Sequence, residues 1–262
     1  MIEVMDSKIA IVVTVQNKKL FKKTKNSIPS NIDLYSIDGR HEFFAFSALE
    51  LVFKSSQTKK YDWIIMADED VIFIDFSAVV DLLKYMKDNN YQISGMNDGN
   101  GIEFRKGNPK LPNLFFCIFN FKELNSKFSS QQFDYFKSVY EVNPEESING
   151  QIEPYYVFFH YLLSLDFRIL FLKAENNFMS DDYESTILYN QIENKMIVHT
   201  WYARLYSKNE RHTQRIDNTI SRFIFLNFNR HHSQLKSHKY MRFRFKYYLK
   251  KMKYRIPSMA IL

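Results

Sequence analysis

At 262 residues, 45% of them apolar, the chain can bury one substantial core but not two large independent ones. Its net charge of +7 is unevenly spread: residues 218–262 hold eleven Lys or Arg and no Asp or Glu, leaving 25 basic against 29 acidic groups in residues 1–217. That balance excludes a protein that binds nucleic acid through its whole surface, and suits a globular body over 1–217 whose basic tail, 218–262, touches an anionic surface.

In chain order, Ile9-Ala10-Ile11-Val12-Val13 is a β-branched run of the kind buried on both faces of a mostly parallel sheet. The polar turn Thr14-Val15-Gln16-Asn17 leads into a Lys-rich helix over 18–28, which Pro29 closes. A short strand over 32–37 ends at Asp38-Gly39-Arg40, and a helix over 43–54 follows. Trp63-Ile64-Ile65-Met66-Ala67 is a second buried strand; it stops at Asp68-Glu69-Asp70, and the apolar run 71–74 resumes at once. Apolar residues at helical spacing predict a helix over 77–87.

Residues 95–112 read as a loop, since they gather four of the six glycines: Gly95, Gly99, Gly101 and Gly107. Such a concentration in a glycine-poor chain predicts either a mobile segment or a close approach of backbone to ligand, with ordinary turns as the alternative. Residues 114–121 form an aromatic strand containing Cys117, the single cysteine, so no internal disulfide is possible and a reducing compartment is expected. A buried helix over 154–165 follows Glu153, and a strand over 168–173 precedes Ile197-Val198-His199-Thr200 and Arg204. Alternation of strand and helix predicts an α/β sheet flanked by helices.

Ligands of open α/β sheets bind beyond the carboxyl ends of the strands. Three predicted strands end in polar groups there: Thr14 with Gln16, then Asp38, then Asp68 to Asp70. Two carboxylates one residue apart can hold Mn2+ or Mg2+, hard ions that prefer oxygen and are commonly shared with substrate phosphates. An acidic triplet is ordinarily a solvated turn. Here it is pinned between two apolar runs.

With those motifs in view, residues 8 to about 204 resemble nucleotide-diphosphate-sugar glycosyltransferases of the GT-A fold, whose metal-binding Asp-x-Asp motif follows an apolar strand. The resemblance implies a Rossmann-type mixed sheet. It implies Asp70 as metal ligand, Asp68 as ribose or metal-water contact, and Thr14, Gln16 and Asp38 as nucleotide contacts. It also implies His199 as a further ligand of the metal, although a histidine after two apolar residues is by itself more often a core residue, and only Asp70 brings the two readings level. Arg204, with Lys208 beyond it, would clamp diphosphate oxygens. Glu153 at a helix mouth would take the acceptor proton, where capping is the alternative reading, and Asp98 would touch the donor sugar. Asp181-Asp182 is a weaker competitor of Glu153. Gln16, where the family commonly has an aromatic, and Asp38-Gly39-Arg40 depart from the family pattern.

The tail after Met241 sets Phe245, Tyr248, Leu249, Met252 and Ile256 at helical spacing among Lys and Arg, as an amphipathic helix on an anionic membrane would. Single-stranded RNA or packing on the body would suit the same composition. No apolar run approaches the roughly 20 residues of a membrane span, and the N-terminus lacks the charged start of a signal peptide. The expectation is therefore a cytoplasmic enzyme, peripheral on the inner face of the membrane. It would move a sugar from a nucleotide-diphosphate donor to a glycan or lipid-linked acceptor in surface-polysaccharide synthesis, with no nucleic-acid partner. The alternatives are a sugar nucleotidyltransferase and a non-catalytic RNA- or membrane-binding protein.

Overall fold

A computed structural model describes residues 7–40, 45–99, 101–141, 143–176, 182–224 and 231–235. The apolar run at the start becomes β1 (Ile9–Val15). Its residues alternate between two cores: Ala10 and Val12 face one, Ile9, Ile11 and Val13 the other. Burial on both faces is why the run carries no polar alternation. Asn17 caps α1 (Lys18–Thr24) by accepting from the backbone N–H groups of Lys19 and Leu20. A single 3-10 turn, Lys25–Ser27, completes the expected helix. Next come β2 (Asp33–Asp38) and α2 (Phe46–Lys54); the predicted start of that helix at residues 43–44 lies outside the described residues.

β3 (Trp63–Asp68) is followed across Glu69 and Asp70 by β4 (Val71–Phe73), which leaves the main sheet for a second one. Asp75 caps α3 (Phe76–Asp88) through the N–H groups of Ser77 and Ala78. The segment read as loop from 95 to 112 is instead strand at both ends, β5 (Ile93–Asn97) and β6 (Pro112–Asn120), joined by residues 98–111. Gly95 is a strand residue opposite Cys117, where an added Cβ would crowd the Cys117 Sγ and the Phe116 carbonyl. Gly107 lies against the side chains of Asp98 and Tyr156 with no room for a Cβ, so close packing, not mobility, explains its presence.

α4 (Phe121–Lys127) and α5 (Ser130–Val139) have no counterpart in the sequence reading. α6 (Tyr156–Ser164), β7 (Ile169–Leu172), β8 (Ala174–Glu175), β9 (Thr186–Tyr189), β10 (Lys195–His199), α7 (Glu210–Phe223) and β11 (Ser233–Gln234) complete the order.

The main sheet runs β11-β2-β1-β3-β6-β5-β7; β6 is antiparallel to both of its neighbours and the other pairings are parallel. One core packs α2, α4, α5 and α6 on one face, the other packs α1 and α3 on the opposite face. The fold is thus a mostly parallel α/β sheet flanked by helices. An antiparallel sheet, β4-β10-β9-β8, brings His199 into register with Val71 and so beside Asp70.

α7 runs through the division expected at 217 and 218, burying Thr219 and Ile220. β11 lies on the sheet edge with Leu235 fully buried. The amphipathic segment after Met241 lies outside the described residues. No helix among the described residues is long and apolar enough to cross a membrane.

Candidate active site

Parallel pairing aligns Thr14 with Asp68 and Val15 with Asp38, so the carboxyl ends of β1, β2 and β3 open on the same edge. A cavity of about 460 Å³ lies there, within the range of small-molecule sites. Its wall includes Thr14, Gln16, Asp68, Glu69, Asp70, Glu153, His199 and Arg204.

The triplet is built into the fold rather than solvated. Glu69 Oε1 accepts the backbone N–H groups of Gln16 at 3.1 Å and Asn17 at 2.8 Å. Its carbonyl accepts the Thr24 hydroxyl at 2.7 Å. Glu69 therefore ties the turn after β1 to the acidic corner. The Asn17 side-chain amide donates to the carbonyls of Ala203 and Tyr206, both at 2.9 Å, and joins the segment after β10 to the same corner.

Asp70 Oδ1 and His199 Nε2 stand 3.0 Å apart, each side chain 3% exposed. His199 stacks on Phe115 at 4.1 Å and 9°, and Trp201 packs against it at 4.1 Å and 53°. Ligand atoms of Asp68, Asp70 and His199 all lie within 4.8 Å of one another. Burial first, then the charges of Asp70 and Glu69, pushes the Asp68 carboxyl well above its usual range, against the pull of Arg204. Burial and Asp70 likewise push Glu69 up to about 7, although the amides of Asn17 and Gln16 oppose the shift.

Such a corner fits a divalent cation on three counts. Its donors are two carboxylates and an imidazole, which Mn2+ accepts. The 3.0 Å between Asp70 and His199 is the separation of adjacent ligands on an ion with bonds of about 2.1 Å. Finally, the mutual repulsion of the carboxylates is what a positive charge would relieve. His199 Nδ1 is buried with no hydrogen-bond partner, so Asp70 at Nε2 is the one protein group hydrogen-bonded to the ring among the described residues.

A second polar group lines the cavity around Glu153. Its Oε1 accepts from Arg105 at 2.9 Å and from Gln151 at 3.0 Å. Arg105 also reaches Asp98, Nε to Oδ1 at 2.8 Å. Asp98 is fully buried and does not line the cavity. It accepts from Asn113 at 2.5 Å and from the Tyr156 hydroxyl at 2.5 Å, with Tyr155 at 3.4 Å. Asp98 thus stands behind the wall and holds Arg105, Asn113 and Tyr155, which do line it. Asp38 is also off the cavity wall: its carboxylate is 3% exposed and takes the Arg40 guanidinium at 2.8 and 2.7 Å. Of Asp181-Asp182, Asp181 lies outside the described residues, and Asp182 is buried against Arg215.

Arg105, Asn113 and Tyr155 were not legible as site residues. Arg105 carries the one available signal, the single arginine inside the glycine-rich segment.

No protein-family model matches the chain, and no curated protein does. Among solved structures, the glycosyltransferase GlyE of Streptococcus pneumoniae TIGR4 is 13% identical, with a TM-score of 0.39 over 63% of this chain and 45% of that one. A197 from STIV is 15% identical, with a TM-score of 0.35 over 72% of this chain and 93% of that one. A glycosyltransferase involved in glycosylation of the major capsid of PBCV-1 is 15% identical, with a TM-score of 0.31 over 53% and 77%. The chain matches less than half the length of GlyE. At these values the likeness assigns no reaction, and the chemistry rests on the residues of the site.

Proposed function

We propose that this chain is a divalent-metal-dependent glycosyltransferase that moves a sugar from a nucleotide-diphosphate donor to a glycan or lipid-linked acceptor, as in surface-polysaccharide assembly. One observation carries the reading: Asp68, Asp70 and His199 converge at the carboxyl edge of the sheet, in a cavity also lined by Thr14, Gln16, Arg204 and Glu153.

Asp70 and His199 would hold Mn2+ or Mg2+, with Asp68 beside them on the ribose or on metal-bound water. The cation supplies Lewis-acid stabilisation of negative charge on a departing diphosphate. Thr14 and Gln16 supply polar contacts to the nucleoside, and Arg204 a guanidinium for diphosphate oxygens. Glu153 accepts the acceptor's hydroxyl proton as that oxygen bonds to the sugar's anomeric carbon, whose bond to the diphosphate breaks with the electron pair leaving on the diphosphate. Both hydrogen bonds to Glu153 fall on Oε1, which makes Oε2 the oxygen for that proton.

The nucleotidyltransferase alternative is disfavoured by the turn after β1. Such enzymes cradle a triphosphate on free backbone amides of a glycine-rich loop. Here Thr14-Val15-Gln16-Asn17 holds no glycine, and the amides of Gln16 and Asn17 are taken by Glu69.

A thermal-shift screen of UDP-, GDP-, CDP- and TDP-sugars with and without Mn2+ tests the reading, since a ligand at 100 times its Kd stabilises the native state by about 2.7 kcal/mol. A shift that needs both nucleotide sugar and metal is expected. Absence of any metal-dependent nucleotide shift sinks the reading.

A further inference from the structure

We propose that Arg215 is a positioning residue of this site: it clamps the turn at residues 200–202 and, through that turn, sets the ring of His199 against Asp70. The inference rests on the metal-site reading above.

The turn that follows β10 is strained. Trp201 has φ 56° and Tyr202 φ 59°, two successive bulky residues in the left-handed region. The left-handed region crowds the Cβ of an L-residue, and such a conformation persists only where its surroundings over-determine it. Thr200-Trp201-Tyr202 contains no residue that favours it.

The restraint comes from α7. Arg215 Nη2 donates to the carbonyl oxygens of Thr200 at 2.5 Å and Trp201 at 3.3 Å. From the other side of the guanidinium, Nη1 reaches both oxygens of Asp182 at 3.1 Å and the Ser185 hydroxyl at 2.9 Å. Nε lies 3.0 Å from Glu184. The Arg215 and Asp182 side chains are only 8% and 4% exposed. Asp182 is itself fixed by the Ser185 and Glu184 amides and by the Thr219 hydroxyl.

A buried ion pair is weak evidence for stability, because apolar residues often replace one without loss. The fork geometry accounts for this one better. Arginine alone can donate to a carboxylate on one side and to two carbonyls on the other without ever losing its charge.

From the turn the constraint passes to the metal corner by contact. Trp201 Nε1 is anchored on Thr186 Oγ1 at 2.7 Å, and its ring lies 4.1 Å from that of His199. Phe115 stacks flat on the imidazole's face and touches Trp201 in turn, ring centroids 5.3 Å apart. With Nδ1 unpartnered, these two rings, and no hydrogen bond behind the ring, hold the imidazole with its Nε2 toward Asp70. Released carbonyls at 200 and 201 would let Trp201 relax and the imidazole turn away from Asp70.

Trp63 and Trp201 are the two tryptophans, and Trp63 is in the core, so a Trp63→Phe background makes Trp201 the sole emitter. In that background, Arg215→Lys keeps a positive charge beside Asp182 but cannot serve both sides. Its Trp201 emission should shift to longer wavelength, and its Mn2+ Kd should rise about 10- to 100-fold, the range for residues that orient ligands. Thr58→Val, which loses buried bonds to the Val52 and Ser55 carbonyls outside the clamp, is the control and should leave Mn2+ affinity unchanged.

Unchanged emission and Mn2+ affinity in Arg215→Lys overturn the proposal. So does a Thr58→Val protein that loses as much Mn2+ affinity, because the effect would then be general loosening. If the parent protein shows no Mn2+ binding at all, the metal-site reading fails instead, and the emission shift alone decides whether Arg215 clamps the turn.

Discussion

Asp70 and His199 are 129 positions apart in sequence and 3.0 Å apart in space. The link is made by β4 and β10, whose antiparallel register sets His199 opposite Val71. The Asp70 carbonyl is tied to the Thr200 amide at 3.1 Å. Asp70→Asn should therefore leave the backbone frame intact while removing one charge from a crowded acidic corner. The metal-free variant is expected to melt no lower than the metal-free parent, since repulsion is relieved. Its Mn2+-dependent response to donor should disappear, and turnover should fall by at least about 100-fold, beyond the cost of losing a residue that only orients ligands. Calorimetric melts and sugar-transfer rates measured on the same preparations check both halves.

Glu153 is held by Arg105 and Gln151 but faces the cavity, so its role divides cleanly by experiment. Glu153→Gln keeps the side chain's size and an oxygen for Arg105. As the base it should lower kcat by about 100- to 10,000-fold with donor KM nearly unchanged. A drop in melting temperature with activity preserved would make it a structural partner of Arg105 only.

The Asp98 carboxylate is a different case: fully buried, it serves Arg105, Asn113 and Tyr156 at once. Asp98→Ala should destabilise by about 3–5 kcal/mol, the cost of leaving a buried ionic partner alone. Gly107→Ala should act in the same direction, because its Cβ would strike the side chains of Asp98 and Tyr156. Denaturant unfolding of both variants tests this, and an unaltered midpoint in either would show that the hub tolerates rearrangement.

The contrast between Asp70 and Asp98 marks what was legible in the sequence. Strands buried on both faces announce themselves as unbroken apolar runs, and the acids that end such a run must lie at the sheet edge; β1, β3 and Asp68 to Asp70 were readable on that ground. Asp98 sits among glycines, and composition alone cannot separate a loop that is open from one that is packed. Arg105 and Arg215 were hidden for another reason. Each acts through partners remote in sequence: Glu153 lies 48 positions from Arg105, and Asp182 lies 33 from Arg215. α4 and α5 alternate polar and aromatic residues too irregularly for periodicity to expose them.

Removal of residues 236–262 separates the cavity from the basic tail. Cutting at 218 would break α7 and remove Leu235 from the core, whereas cutting after 235 spares every described element. The shortened protein should keep its Mn2+-dependent donor response. It should lose sedimentation with vesicles containing anionic lipid, which in the intact protein should weaken as salt is raised. Loss of the donor response along with the tail would instead favour a non-catalytic binding role.

Acid stability should report the clamp on the turn at residues 200–202. Although burial alone would raise the Asp182 carboxyl, hydrogen bonds from Ser185 and the charge of Arg215 hold it below its ordinary value of 3.8. In the window between the folded and unfolded values the unfolded chain binds more protons, so stability there increases with pH. Asp182's contribution is thus fully present above the unfolded value and is lost as pH falls through the lower folded one. Asp182→Asn lacks that titration and leaves Arg215 without its carboxylate. The parent's advantage over the variant should stay constant above about pH 5 and shrink below pH 3.8. Urea unfolding of both proteins between pH 2.5 and 7 reads the difference directly. An advantage that persists undiminished to the acid end would mean that the Asp182 charge does not hold Arg215 in place.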